Sequence, residues 1–196
     1  PAVAAAILIA ALPFTYIDLS SGAEEPFQDR LHLSAAYRQA GQLAEAEATL
    51  RQVIADAEKL ARRHGGDPSR EATMPGGITF ILALSAAHRD LGAVEMDQKR
   101  YPEAARQYRA ASDLSPRDAA ILISLGGALK AGADLEGATG AYRRAIQIDS
   151  ASFAARFDLA TVYYEMGRMP KALEELESAR RAKAVMAPLD LADYHY

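Results

Sequence analysis

The sequence predicts an all-α fold in which antiparallel helix pairs stack on one another. Similar blocks recur with a period of 34 residues, which Ala104, Ala138 and Ala172 mark. Within the blocks, apolar residues recur every three or four positions and give each helix one apolar face, as Leu122 and Leu125 do. A two-helix unit cannot bury such a face alone, so neighbouring units have to stack.

The composition limits the classes of function that fit the chain. Half of the 196 residues are apolar, which predicts a folded chain with a core. There is no cysteine, which excludes disulfides, thiolate metal sites and thiol nucleophiles. The net charge is −4, and acidic and basic residues are interspersed without a basic stripe, which argues against nucleic acid as a partner. The basic residues are mostly Arg, which we interpret as the codon bias of a GC-rich bacterium.

The repeats share more than their central alanine. Leu91 and Gly92 form a Leu-Gly step on a first helix, and Tyr108 follows on the second helix. We predict that first helices end at Gly41 and Gly167. Helices often end on a residue in the left-handed conformation, and glycine adopts that conformation at the lowest cost. The resulting units are residues 27–60, 85–118, 119–152 and 153–186.

This pattern resembles the tetratricopeptide repeat (TPR) family. Glu95 and Leu129 depart from it, since each replaces a Tyr, and Ser150 replaces the final Pro. The resemblance implies a right-handed α-solenoid, the TPR superhelix, that binds other proteins in a concave groove. It also implies that small residues bring paired helices close together, at Gly92, Gly126, Ala138 and Ala172. Larger ones are expected to fill the space between units, at Tyr108, Tyr142 and Leu176.

An insertion of residues 61–84 separates the first two units. Its centre, residues 64–77, is rich in Gly and Pro and predicts a loop. We expect the helix before the loop to extend to about Arg63 and the next helix to begin near Ile78. Ile78, Ile81, Leu82 and Leu84 indicate additional burial there. Functional contact and plain variation are both open interpretations of the loop.

Residues 1–17 carry no charge, and an entirely apolar run begins at Ala2 and ends at Leu12. A helix of that run rises about 16 Å, roughly half of a bilayer's hydrocarbon core, so it cannot span a membrane alone. Three interpretations stay open: the end of a membrane helix that begins upstream, a remnant of a signal peptide, or a helix capping the repeats. Residues 18–26 are polar and predict a linker. Residues 187–196 leave the repeat register and predict a capping helix or the start of a further segment.

The sequence contains no recognisable catalytic arrangement. No histidine has a His or Glu at metal-ligand spacing, and no Gly-rich stretch continues into a Gly-Lys-Ser/Thr phosphate loop. Glu24-Glu25 and Glu174-Glu175 are typical of solvated faces or of a linker. The histidines are His32, His64, His88 and His195. We therefore predict no catalytic residue, no cofactor, no metal and no enzymatic activity in this segment.

The resemblance places a partner-binding groove on the first helices, at the second, fifth, ninth and twelfth residues of each unit. These positions hold Gln28, Leu31, Ala35, Arg38, Ala86, Arg89, Ala93, Met96, Ala120, Ile123, Gly127, Lys130, Ala154, Phe157, Thr161 and Tyr164. The candidate contacts are Leu31, Arg38, Arg89, Met96, Ile123, Lys130, Phe157 and Tyr164. Aromatic side chains dominate binding hot spots, so the last two are the expected anchors. The positions that would form the chaperone-binding carboxylate clamp hold no charged or amide side chain.

The sequence favours a non-catalytic scaffold or adaptor that holds a peptide or protein in this groove. We expect it to be membrane-associated through residues 2–12, within a larger assembly, on the periplasmic side of a bacterial envelope, with the cytoplasm as the alternative. The alternative function is that of a C-terminal repeat region of a larger integral-membrane enzyme, such as a glycosyltransferase, with its active site upstream. The sequence does not predict the oligomeric state of the chain.

Overall fold

The computed structural model describes residues 25–63 and 77–186 of the chain. These ranges contain eight α-helices and no β-strand. The helices are α1 (Glu25–Gln39), α2 (Leu43–Arg63), α3 (Gly77–Asp97), α4 (Tyr101–Leu114), α5 (Ala119–Ala131), α6 (Leu135–Ile148), α7 (Phe153–Glu165) and α8 (Met169–Met186). Glu25 and Pro26 belong to α1 rather than to the preceding polar stretch.

The helices form two compact units, one ending at Ser115 and the other beginning at Pro116. In the first unit, α1 pairs with α2 and α3 pairs with α4, while α2 also packs on α3. In the second unit, α5 pairs with α6, α7 pairs with α8, and α6 packs on α7. The predicted all-α class and the stacking of helix pairs are confirmed.

The turn inside every pair has a left-handed residue at the same repeat position. Gly41 has a φ of 76° and Gly167 a φ of 70°, as the sequence predicts. Lys99, with a φ of 60°, and Ala133, with a φ of 64°, occupy the equivalent positions in the other two turns. In each turn the next amide donates to a carbonyl five residues back, as Asp134 does to Leu129 (2.9 Å), which is the Schellman pattern.

Side-chain caps begin three of the helices in the second unit. The Asp118 carboxylate accepts hydrogen bonds from the amides of Ala120 (2.9 Å) and Ile121 (3.3 Å) at the start of α5. Asp134 and Ser152 cap α6 and α7 in the same way. Each cap satisfies amides that have no partner within their own helix, so these side chains fix where the helices begin.

Glycines on first helices lie directly against tyrosines on their paired second helices. A β-carbon added at Gly126 would lie 2.7 Å from the Tyr142 ring, and one at Gly92 would lie 3.0 Å from the Tyr108 ring. Both tyrosines are buried. Leu176, which was expected to fill the space towards a following unit, is instead 41% exposed in the part of the chain that the structure describes. Its helix is the last that the structure describes, and no further pair follows it there.

The core of the first unit is formed by apolar faces of α1, α2 and α3. Its buried members are Phe27, Ala46, Leu50, Val53, Ala57, Leu84, Ala87, Leu91 and Val94. Ile81 packs against this core, as predicted. Leu82 is 57% exposed, so its predicted burial is wrong. The helical period explains the difference, because Ile81 and Leu84 lie three residues apart on one face and Leu82 points away from it.

The bounds of α2 and α3 define the edges of the insertion. Helix α2 ends at Arg63, and α3 begins at Gly77, one residue before the start that the sequence predicts. The loop between them falls outside the described residues, as do the apolar segment 1–17, nearly all of the linker and the segment 187–196. Among the described helices, none is both long enough and apolar enough to cross a membrane.

Candidate partner-binding surfaces

A cavity of about 410 Å³ opens between α1 and α3 in the first unit. Leu31, Leu50 and Val94 supply its apolar floor, and the first two belong to neighbouring helices that pack on each other. The full lining is Gln28, Leu31, His32, Ser34, Ala35, Arg38, Leu50, Ala86, Arg89, Asp90 and Val94. The volume falls within the range of ligand pockets, and it is large enough for one or two side chains of a partner.

Six of the eight groove positions predicted for α1 and α3 line this cavity. Leu31, Arg38 and Arg89 are the candidate contacts among them. Ala93 and Met96 do not line it and are half-buried further along α3. The structure therefore gathers most of the predicted positions of the first unit around one opening.

Two arginine–carboxylate pairs lie at the rim of the cavity. Arg38 Nε donates to Asp97 Oδ2 (2.6 Å), and this pair joins α1 to α3. Arg89 Nε donates to Asp90 Oδ1 (3.0 Å) on the same helix. All four side chains are substantially exposed, and exposed pairs contribute only about 0–1 kcal/mol. A carboxylate of a partner can therefore replace either acid at little cost.

The second unit presents an aromatic surface on α7. Phe157 is 48% exposed and Tyr164 is 63% exposed. The ring of Phe153 stacks on that of Phe157, with centroids 5.8 Å apart and planes inclined by 17°. Exposed aromatic rings on one helix are typical of sites that bind another protein. The two predicted anchors thus lie where a partner can reach them.

The remaining candidate contacts lie on α5. Ile123 and Lys130 are both half-buried there. Lys130 lies near Asp158 on α7, where burial raises the pKa of the Asp158 carboxyl and the Lys130 charge offsets part of that rise. Burial also raises the pKa of the Tyr142 hydroxyl well above its ordinary value. Ile123 and Lys130 therefore offer a partner less surface than the exposed aromatic rings of α7 do.

Five residues of the cavity were not among the predicted groove positions. Leu50 comes from a second helix, and the repeat pattern assigns such helices no role in the groove. His32 and Asp90 follow Leu31 and Arg89 directly in sequence, so the helical period could have included them as flanking positions. Ser34 is buried and donates to the carbonyl of Leu31 (2.7 Å). Val94 is the fifth.

The described ranges contain no group of three or more His, Asp or Glu side chains that could hold a metal ion. His88 is half-buried and its Nδ1 lies 2.8 Å from Gln107 Oε1, which suits a residue that packs between helices. Glu175 is half-buried and pairs with Arg156 (3.1 Å). The prediction that it lies on a solvated face is therefore wrong. His64, His195 and Glu24 lie outside the described residues.

Solved structures of MamA have a similar fold. One, described as the crystal structure of MamA, aligns with a TM-score of 0.63 and 16% identity over 87% of this chain and 85% of that chain. A second, MamA MSR-1 C2, aligns with a TM-score of 0.64 and 18% identity over 95% of this chain and 89% of that chain. At such low identity the likeness establishes the fold alone.

A curated relative is longer than this chain. The tetratricopeptide repeat-containing protein trd-1 of Caenorhabditis elegans is 27% identical over 150 residues, which are 73% of this chain. They are 19% of that protein, so this chain spans about a fifth of its relative's length.

Two family profiles, each described as Tetratricopeptide repeat, match residues 89–155 and 128–187. Together they cover about half of the chain. Proteins built from these repeats generally bind proteins or peptides and are generally not catalytic, which supports a protein-interaction scaffold. The chain belongs to the tetratricopeptide repeat family.

Proposed function

We propose that the chain is a non-catalytic scaffold that holds a peptide or protein segment against its first helices. The observation that carries the proposal is the cavity between α1 and α3, because it is built mainly from positions that the repeat assigns to a groove. Its apolar floor suits an apolar side chain of the partner, and its arginine rim suits a neighbouring carboxylate. Phe157 and Tyr164 offer a second set of contacts on α7.

Filling the cavity tests the first set of contacts. Ala35 and Ala36 are adjacent exposed residues of α1, but only Ala35 lines the cavity. Peptides are selected from a random-peptide phage library on the purified chain, and their Kd is measured by fluorescence anisotropy. We expect Ala35→Trp to weaken binding by about 2 kcal/mol, about thirtyfold in Kd, and Ala36→Trp to leave it unchanged.

Truncating the aromatic side chains tests the second set. The double variant Phe157→Ala with Tyr164→Ala should lose affinity for peptides that bind the second unit. The matched control is Leu173→Ala with Leu176→Ala, which removes exposed apolar side chains from α8 instead. Selected peptides that bind both Ala35→Trp and the aromatic double variant as tightly as the unaltered chain would show that the first-helix faces are not the binding surface.

We also propose that the chain works at a membrane within a larger assembly, on the periplasmic side of a bacterial envelope. The support is the uncharged segment 1–17, whose apolar run is too short to span a bilayer but long enough to lie in it. The full chain and a chain lacking residues 1–17 are floated with phospholipid vesicles. We expect only the full chain to rise with the vesicles, and equal flotation of the two would refute the tether.

A further inference from the structure

A carboxylate is buried inside the first unit. The Glu95 side chain on α3 is 1% exposed. Its Oε1 lies 3.5 Å from Arg51 Nη2 on α2, at the limit of hydrogen-bond length. Within the described residues, its Oε2 has no hydrogen-bond partner. A buried carboxylate with one weak contact is costly when it is ionised.

The neighbouring arginines are held more tightly by another carboxylate. Glu47 on α2 accepts from Arg100 Nη2 (2.5 Å) and from Arg51 Nε (2.9 Å). It also accepts from Gln98 Nε2 (3.3 Å). The charged side chains facing Glu95 are thus Glu47 and Arg51 from α2, Arg100 from the turn after α3, and Glu103 from α4.

The two carboxylates are therefore shifted in opposite directions. Burial raises the pKa of Glu95, and the charges of Arg100 and Arg51 only partly offset that rise. Burial also raises the pKa of Glu47, but its hydrogen bonds from Arg100, Arg51 and Gln98 outweigh burial and lower the pKa below its ordinary value. Protonation thus suits the surroundings of Glu95, and ionisation suits those of Glu47.

This cluster adjoins the cavity floor along the chain on two helices. Leu50 and Val94 form part of the cavity floor, and Arg51 and Glu95 are the next residues of the same two helices. We therefore expect a change in the packing of α2 on α3 at Glu95 to reach the floor through these adjacent residues. Helix packing is close and does not deform continuously, so a buried charge is relieved by separating the helices or admitting water.

We propose that the charge on Glu95 regulates the cavity between α1 and α3, which is well formed when Glu95 is protonated and loosened when it is ionised. This inference rests on the proposed function for its biological meaning, since the cavity is the proposed peptide site. The proposal predicts that the affinity of the chain for its partner increases as pH falls. If half of the molecules lost the binding-competent packing, the apparent Kd would rise about twofold.

The pH window follows from the direction of each shift. Glu95 is more easily protonated in the folded chain, so its contribution to stability is complete below its unfolded pKa of about 4.3. That contribution is lost as pH rises through its higher folded pKa. Glu47 behaves oppositely, because its contribution is present above the unfolded pKa and is lost as pH falls through its lower folded pKa.

The experiment compares Glu95→Gln with the matched variant Glu47→Gln in the full chain. Tm is measured from about pH 4 to about pH 8, upward from the unfolded pKa of Glu95 in the direction in which burial shifts it. At neutral pH we expect Glu95→Gln to raise Tm by about 2–4 °C and Glu47→Gln to lower it by a similar amount. The Glu95→Gln difference should shrink towards about pH 4, whereas the Glu47→Gln difference should persist over most of this range, because the contribution of Glu47 is lost only as pH falls through its lower folded pKa.

A second readout reports on the cavity itself. The chain has no cysteine, so Ala35→Cys offers a unique thiol at the cavity for an environment-sensitive dye. We expect a shift of the dye emission through the titration of Glu95 that Glu95→Gln abolishes. His32 and Asp90 also line the cavity, and any response due to them would persist in Glu95→Gln.

The outcomes separate this inference from the proposed function. A Glu95→Gln chain that is less stable at neutral pH, or a dye response identical with and without Glu95, would overturn the regulation. Neither readout uses a peptide, so regulation can hold even if no peptide binds. Conversely, a selected peptide that binds Glu95→Gln and the unaltered chain with the same pH dependence would leave the scaffold intact and refute the regulation.

Discussion

Replacing Gly126 by Ala tests whether close helix approach sets the geometry of a repeat. The added β-carbon would lie 2.7 Å from two ring atoms of Tyr142 and 2.9 Å from a third. Tyr142 is only 1% exposed, so its ring has no free space into which to move. Inserting a methyl into such a site costs about 1–3 kcal/mol. The same change improves helix propensity by about 1 kcal/mol, which offsets part of that cost.

A control in the same unit separates the two effects. Gly140 lies exposed on α6, and a β-carbon there would meet nothing within 4 Å. Gly140→Ala should therefore gain the helix propensity without the clash. Thermal unfolding followed by circular dichroism should place the Tm of Gly126→Ala below that of Gly140→Ala by about 2–4 °C for each kcal/mol of clash. Gly92→Ala should fall between them, because its contact with Tyr108 is longer, at 3.0 Å.

A compensating substitution identifies the source of the loss. Adding Tyr142→Leu to Gly126→Ala removes the ring that the new methyl would meet. If the clash is the cause, the double variant should be more stable than the sum of the two single effects predicts. Equal Tm values for Gly126→Ala and Gly140→Ala would refute the reasoning, since the first helix would then have room for a side chain.

Substitutions at three further positions test the turns and a cap. Gly41→Ala should destabilise the chain by about 1 kcal/mol, because Ala is strained at a φ of 76°, and urea unfolding would show a lower midpoint. Ala133→Gly should stabilise it by a similar amount by relieving a φ of 64°, so an unchanged midpoint would contradict the strain. Asp118→Ala should cost about 1 kcal/mol through the lost cap of α5, whereas Asp118→Asn should retain most of the stability.

The repeat could be predicted because its packing needs the same small or apolar residue at fixed intervals. Ala104, Ala138 and Ala172 are all buried at such positions. The turns were predictable only in part. Gly41 and Gly167 indicate a left-handed residue, because glycine favours that conformation. Lys99 and Ala133 adopt the same conformation, but their residue types do not indicate it. Backbone hydrogen bonds hold those two turns, and residue type does not reveal such bonds.

The candidate site was predictable where it depends on one helix at a time. The helical period selects the face of α1 or α3 that carries Leu31, Arg38 and Arg89. It does not give the distance between helices, so the part of Leu50 in the cavity floor could not be foreseen. The helical period also does not predict that Arg38 on α1 pairs with Asp97 on α3. Such contacts depend on how far the side chains extend in three dimensions.

The repeat supplies its own comparison for the buried carboxylate. The position of Glu95 is occupied by Tyr37, Leu129 and Tyr163 in the other units, and each of these is buried or half-buried. The position therefore accepts an aromatic or an aliphatic side chain, and replacing a buried charge by such a residue is often neutral or stabilising. Glu95 consequently does nothing for the fold that Leu or Tyr would not do better. Where one repeat departs from the others at a stability cost, the departure is best explained by a function specific to that repeat.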